Sequence, residues 1–331
     1  MYQAADARYD GMTYNRCGSS GLRLPAVSLG FWHNFGSTGV YDTMRKLCFT
    51  AFDNGVTHFD LANNYGPEPG SAEENLGRIV KENFMPYRDE LIISTKAGYE
   101  MWNGPYGNWG SRKYLLASLD QSLTRLGLPY VDILYHNRMD PETPLEETMG
   151  ALDQAVKSGK ALYAGLSNYN GQKMQEAAAI LRDLKCPFVI NQNRYSIFDR
   201  TIENNGLKEA AVKEKKGLIA FSPLAQGTLT DRYLYGIPAD SRVMTDGRFL
   251  KKDQLTEEKI SQIRALNEMA GQRGEKLSQM ALKWVMKDHV VTSVLIGASK
   301  PEQILDNLKM LDRAPLSEEE LLKIDQICGI K

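Results

Sequence analysis

Four side chains in this sequence stand where proton chemistry at a carbonyl would need them. Asp60 lies late in HFDLANNYG with Tyr65 in the loop that follows, Lys96 falls near the end of LIISTKA, and Asn137 closes VDILYHN. An Asp, a Tyr and a Lys gathered in a dry pocket make a proton donor of a weak acid. A buried lysinium favours the tyrosinate and draws the phenol pKa down from ~10, while the carboxylate keeps the lysine charged and aimed. Such a phenol suits reduction of a carbonyl, where hydride reaches carbon and a proton must reach oxygen. Taken singly, each residue also has a plainer reading: a late Asp caps a loop, a Lys reaches to solvent, a Tyr packs by its ring.

Next to Asn137 stands His136, one of four histidines, and histidine is the side chain most often used for proton transfer near neutral pH. Successive strand side chains face opposite sides. If Asn137 looks into the site, His136 looks toward the helix layer or a loop, so His136 is read as structural.

The elements that must position these residues are short apolar, β-branched runs at 26–30, 58–62, 91–97, 131–137, 161–167, 188–195, 217–224 and 293–299. Stretches with apolar residues at three- and four-residue spacing lie between them, such as TMRKLCFTAFDNG, RKYLLASLDQSLTRLG and KMQEAAAILRDL, which reads as helix. Gly55, Gly127 and Gly159 stand at expected helix ends, and SAEE at 71–74 and TPLEE at 143–147 at expected starts. Regular β-then-α alternation implies a parallel sheet with right-handed crossovers. Eight units favour closure, and no GxGxxG follows the first strand as an open dinucleotide fold would have it. The expected fold is therefore a (β/α)₈ barrel over residues 1–331, with a hairpin formed by residues 12–25 across one barrel end and extra helices at the C-terminus. The barrel puts the ends of strands two, three and four, and with them Asp60, Tyr65, Lys96 and Asn137, at one mouth. The stretch from Gln226 to about Gln254 reads as a long loop of the kind that carries function.

Composition narrows the class. Forty basic against forty-one acidic side chains give a formal charge of −1, which argues against a nucleic-acid footprint or a membrane-surface protein. Cys17, Cys48, Cys186 and Cys328 are scattered and form no CxxC, so neither a zinc site nor a disulfide framework is indicated and a reducing cytoplasm is expected. No apolar run approaches the ~20 residues of a membrane helix, and the N-terminus lacks the apolar core of a signal peptide.

Five blocks then occur in order: DLANNYG, STKAG, GLSN, FSPLAQGTLT and IGASKPEQILDNL. Together they resemble the aldo-keto reductases, from about Tyr14 to Leu311. The resemblance implies a barrel that binds NADPH across its mouth, with Asp60, Tyr65 and Lys96 as three of four catalytic residues. The fourth, a histidine in the family, falls on Asn137, a residue shared by the segment's likeness in voltage-gated potassium channel β-subunits. An Asn amide can donate a hydrogen bond to a carbonyl oxygen but cannot change charge with pH. It would orient substrate, leaving the proton to Tyr65. The resemblance further assigns Ser167, Asn168 and Gln192 to the nicotinamide carboxamide and Tyr195 to stacking under the ring. Ser222, Leu224, Gln226 and Gly227 fall to the pyrophosphate, Ser299 and Lys300 after Gly297 to the 2′-phosphate, and Gln303 and Asn307 to the adenine. A cation at a helix N-terminus is a physically sound anion site. Trp32, His33 and Asn34 would line the mouth beside Tyr65 and Asn137, with Trp32 open to a core reading.

Within the family the blocks are similar to the bacterial L-glyceraldehyde 3-phosphate reductases, which implies short, phosphorylated or reactive aldehydes such as glyceraldehyde 3-phosphate or methylglyoxal. Arg138, His33 and Arg112 are candidate partners for a substrate phosphate, although the two arginines read equally as solvated loop charges. A homo-oligomer is expected by the same resemblance. The competing function is a cofactor-binding subunit that senses redox state for a partner protein with little turnover. Only about eleven residues precede the expected hairpin, which leaves no long effector tail and favours the enzyme.

Overall fold

The computed structural model of the chain describes residues 2–238, 253 and 255–330. A two-stranded antiparallel hairpin comes first, β1 (Tyr14–Arg16) and β2 (Arg23–Pro25). Eight parallel strands then close into a barrel: β3 (Val27–Gly30), β4 (His58–Asp60), β5 (Ile92–Ala97), β6 (Val131–His136), β7 (Ala161–Ser167), β8 (Phe188–Arg194), β9 (Gly217–Phe221) and β10 (Val291–Ile296). They pair in chain order, and β10 returns to β3 to complete the ring. Each expected apolar run holds a strand. Both faces of such strands are covered, one by the barrel interior and one by helices, and β6 accordingly has no exposed position.

Helices Tyr41–Asp53, Ser71–Ile79, Arg112–Leu126, Leu145–Lys157 and Gly171–Asp183 fill the first five crossovers. Gly127 ends one of them in the left-handed conformation, φ 64°, as its position predicts. The SAEE start differs from expectation. Gly70 is the N-cap of the second helix, and the Ser71 hydroxyl donates back to the Glu68 carbonyl at 2.6 Å instead of capping. Glu73 is buried against Thr95 and Arg125, while Glu74, the residue that would close a capping box with Ser71, is exposed. After Leu277–Val285, the last barrel strand leads to helix Pro301–Leu308, and helix Glu318–Ile327 follows.

The hairpin lies at the barrel end where the strands begin. Cys17 and Leu24 pack with Ile133, Tyr135, Ile190 and Ile219 from inside the barrel, so that end is sealed and the opposite mouth is left for ligands. All four cysteines are free thiols. Among the described residues, no helix is long and apolar enough to cross a membrane. The Gln226–Gln254 loop begins with two short 3₁₀ turns, Ala225–Gly227 and Asp231–Tyr233; residues 239–252 and 254 of that expected loop lie outside the described residues.

Candidate active site

Asp60 is the last residue of β4 and pairs in register with Ser94 of β5, which places Lys96, two residues on, over the same interior face. The chain leaving β4 keeps hydrogen bonding to β5, with Leu61 N–H to the Ser94 carbonyl and Asn63 N–H to the Lys96 carbonyl, each at 2.9 Å. That extended ladder carries the backbone to Tyr65. Gly66 then turns it sharply at φ 106°, where a side chain would fall 2.1 Å from the Ser71 hydroxyl, so only glycine fits. The result brings three side chains together. The Lys96 ammonium donates to Asp60, to the Leu61 carbonyl at 2.6 Å and to the Tyr65 hydroxyl at 3.5 Å. Asp60 and Lys96 have no exposed side-chain surface, and the other Asp60 oxygen accepts from Ser94 at 2.7 Å and Gln192 at 3.1 Å.

The electrostatics of the resting site depart from expectation. Burial and the negative charge of Asp60 push the Tyr65 phenol well above its ordinary range, whereas a phenol drawn downward by Lys96 was expected. Burial likewise draws Lys96 below the ordinary lysine value, against the pull of Asp60. Desolvation of a buried acid outweighs one cation at 3.5 Å when that cation is already engaged by a carboxylate. Tyr65 thus stays protonated through neutral pH, and the ammonium beside it is placed to meet charge only as the phenol gives its proton up.

Above this cluster opens a cavity of about 1190 Å³ at the C-terminal ends of the strands. Tyr65, Asn137, Trp32, His33, Asn34, Ser167, Asn168 and Gln192 line its central part, and Ser222, Leu224, Gln226 and Gly227 one wall. Gly297, Ser299, Lys300, Gln303 and Asn307 line the corner beside helix Pro301–Leu308. Asn137 faces the cavity, and its carbonyl accepts from the Asn168 amide at 2.8 Å. His136 points the other way: it is fully buried, 2.7 Å from the Tyr169 hydroxyl, and burial lowers it to about 4. Strand parity therefore separates the two neighbours as the sequence predicts.

A family model, "Aldo/keto reductase family", matches residues 26–328. The chain belongs to the aldo/keto reductase family. It is 55% identical over 329 residues to an L-glyceraldehyde 3-phosphate reductase of Escherichia coli K12, covering 98% of this chain and 95% of that one. It is 36% identical over 318 residues, covering 94% and 91%, to a putative voltage-gated potassium channel subunit beta of Schizosaccharomyces pombe. A crystal structure of a thermostable aldo-keto reductase bound to the inhibitor epalrestat superposes with a TM-score of 0.74 at 30% identity, covering 96% of this chain and all of the other. As a member of this family the protein is an oxidoreductase of the nicotinamide-dependent class.

Three expected site residues of this aldo/keto reductase lie elsewhere. Tyr195, assigned to stacking, is fully buried, and its hydroxyl is held by Glu203 and by Lys287 at 2.6 Å. Phe221, at the end of β9, lines the cavity beside Ser222 where Tyr195 does not. Arg138 is clamped rather than free, lying between the Tyr99 and Trp109 rings at 4.3 and 3.6 Å and bonding the Gly98 carbonyl at 2.9 Å. Arg112 opens its helix, bonds the Gly150 carbonyl at 3.2 Å and does not line the cavity. Sequence reading also passed over Tyr99, Asn64, Met139, Arg194, Arg232 and Lys276, which line the cavity. For Phe221 a signal existed, since it directly precedes Ser222 in the quoted FSPLAQG block.

Proposed function

We propose that this protein is an NADPH-dependent reductase of short aldehydes, with Tyr65 as the general acid and with glyceraldehyde 3-phosphate and methylglyoxal as the substrates to try first. The observation that carries the proposal is the Asp60–Lys96–Tyr65 cluster at the floor of the cavity, with Asn137 on the cavity wall. Tyr65 holds its proton at neutral pH because burial keeps the phenol neutral. As that proton moves to the carbonyl oxygen, the Lys96 ammonium donates to the developing phenolate, an interaction that strengthens in the transition state and so accelerates the step. Asp60 holds Lys96 charged and in place. Asn137 donates an amide hydrogen to the same carbonyl oxygen and orients it.

The lining fits a dinucleotide. Ser222, Ala225, Gln226 and Gly227 all have positive φ, from 46° to 91°, so the backbone folds tightly here and brings Ser222, Gln226 and Gly227 to the wall where a pyrophosphate would lie. Lys300 and Ser299 are exposed at the start of helix Pro301–Leu308, where a 2′-phosphate would meet both a cation and a helix N-terminus. Gln303 currently caps this helix through the Ser299 N–H at 2.8 Å and the Lys300 N–H at 3.3 Å. Ser167, Asn168 and Gln192 would take the carboxamide, and Phe221 offers the flat apolar face beside it. Bound there, the reduced nicotinamide supplies the hydride for the carbonyl carbon.

The test follows loss of NADPH absorbance with L-glyceraldehyde 3-phosphate and methylglyoxal, for the native protein and Tyr65→Phe. Loss of the acid is expected to lower kcat by roughly 10²–10⁴ with NADPH binding retained. Equal turnover by Tyr65→Phe would sink the assignment. Tight NADPH binding without turnover of any short aldehyde would favour the redox-sensing subunit instead, the reading consistent with the likeness to the channel subunit beta.

A further inference from the structure

Barrel interiors are ordinarily filled by branched apolar side chains, yet part of this one is polar. Ser28, His58, Ser94 and Ser293 come from four different strands, β3, β4, β5 and β10, and all are fully buried. Their atoms form a continuous line: Ser293 Oγ to Ser28 Oγ at 2.6 Å, Ser28 Oγ to His58 Nδ1 at 2.9 Å, and His58 Nε2 to Ser94 Oγ at 2.9 Å. The line ends on Asp60, where Ser94 Oγ meets Oδ1 at 2.7 Å.

The carboxylate at the end dictates the direction of every link. Asp60, ion-paired with Lys96, can only accept. Ser94 has one hydroxyl proton, which it gives to Asp60, so toward His58 it must accept, and His58 must carry its proton on Nε2. A neutral imidazole has one N–H, which makes Nδ1 the acceptor of the Ser28 proton and leaves Ser28 to accept from Ser293. Neutrality is secured by burial, which lowers His58 to about 4, with Asp60 and Lys96 the charged groups that act on it in opposite senses.

The geometry points to a one-way hydrogen-bond chain from Ser293 through Ser28, His58 and Ser94 to Asp60, in which His58, as its Nε2–H tautomer, is a positioning residue for the Asp60–Lys96 pair. An apolar layer of the same volume would be about as stable. What the polar chain adds is direction: linked donors polarise one another toward the carboxylate and leave its second oxygen to Lys96. The functional part of this inference rests on the roles proposed above for Asp60 and Lys96.

Two measurements test it. In ring ¹⁵N–¹H correlation spectra, with four histidines in the chain and His58 identified by its loss in His58→Gln, Nε2 is expected protonated and Nδ1 bare throughout neutral pH. An Nδ1–H tautomer or an imidazolium at neutral pH would overturn the chain, whatever the protein's reaction. The second measurement is the kcat profile of Ser28→Ala, which cuts the line two links from Asp60 and touches no group that meets substrate. Its acid limb is expected to move up by roughly half a pH unit with KM for NADPH unchanged. His58→Leu should move it further, and His58→Gln, which keeps a donor toward Ser94, should restore part of the shift. A folded Ser28→Ala protein with the native profile would overturn the positioning role. Absence of turnover in the native protein would instead remove the proposed function and leave the tautomer result to decide the chain.

Discussion

At residue 137 an amide stands beside Tyr65 in the cavity wall, and an amide can orient a carbonyl without ever supplying charge. Asn137→His is therefore expected to leave substrate and cofactor binding largely intact and to raise the single-turnover rate by ~10-fold; a large fall in rate would count against Asn137 as an orienting group. Lys300 makes a second residue-scale case. Its exposed ammonium is the group expected to separate NADPH from NADH, so Lys300→Ala should weaken NADPH by about 2 kcal/mol, roughly 30-fold in KM, and leave NADH nearly unchanged. Equal losses for both cofactors would exclude a 2′-phosphate contact. The division between Asn137 and His136 was legible because strand parity is a local rule. Tyr195 was not, because its hydroxyl is claimed by Lys287 at a sequence separation of 92, and no local pattern announces such a partner. The Tyr65 phenol was misjudged in direction for a related reason: pairwise charge reasoning sees Lys96 and omits the surrounding desolvation.

Strands and helices were largely legible, since eight apolar runs separated by amphipathic stretches leave few topologies open. What periodicity could not supply was the facing of strands buried on both sides, where β6 reads as an unbroken buried run. Packing between neighbouring strands decides such details, and Gly165 of β7 is one. A Cβ there would stand 2.5 and 2.6 Å from the Tyr135 ring of β6, the ring that lies 5.5 Å from the Lys96 ammonium. Gly165→Ala must displace Tyr135, and Tyr135 is fully buried with nowhere open to go. Overpacking of this kind costs about 1–3 kcal/mol, read as a lower urea midpoint, and the shifted ring should also lower kcat by disturbing Lys96. Full activity at reduced stability would show that Tyr135 does not support the lysine. The SAEE helix start failed for an element-scale reason too, since Gly70 takes the N-cap and the Ser71 hydroxyl turns back to the Glu68 carbonyl.

Across the whole molecule, the barrel interior and the layer around it each hold a neutral histidine, and both bind fewer protons folded than unfolded. Burial lowers His58 and His136 to about 4, against ~6.5 in an unfolded chain. Between these values the unfolded state carries the extra protons, so stability is full above pH ~6.5 and falls as pH falls toward 4. With both sites contributing, the slope near pH 5.5 is roughly 2 kcal/mol per pH unit. The depressed carboxyls of Asp140, Glu203, Asp288 and Glu320 act in the same sense, but only as pH falls through the ordinary carboxylate range, where their unfolded forms protonate. Asp132, held above its ordinary value by burial, opposes the histidines from above that range, because its folded form takes up a proton before its unfolded form does. Between pH 6.5 and 5 the two histidines therefore set the sign of the slope, with Asp132 reducing it. Urea midpoints measured across this window should fall steadily, and His136→Gln should remove about half of the slope without removing the slope itself. A flat profile would mean that both imidazoliums are accommodated in the folded state, which the packing around Ser28, Ser94 and Tyr169 argues against.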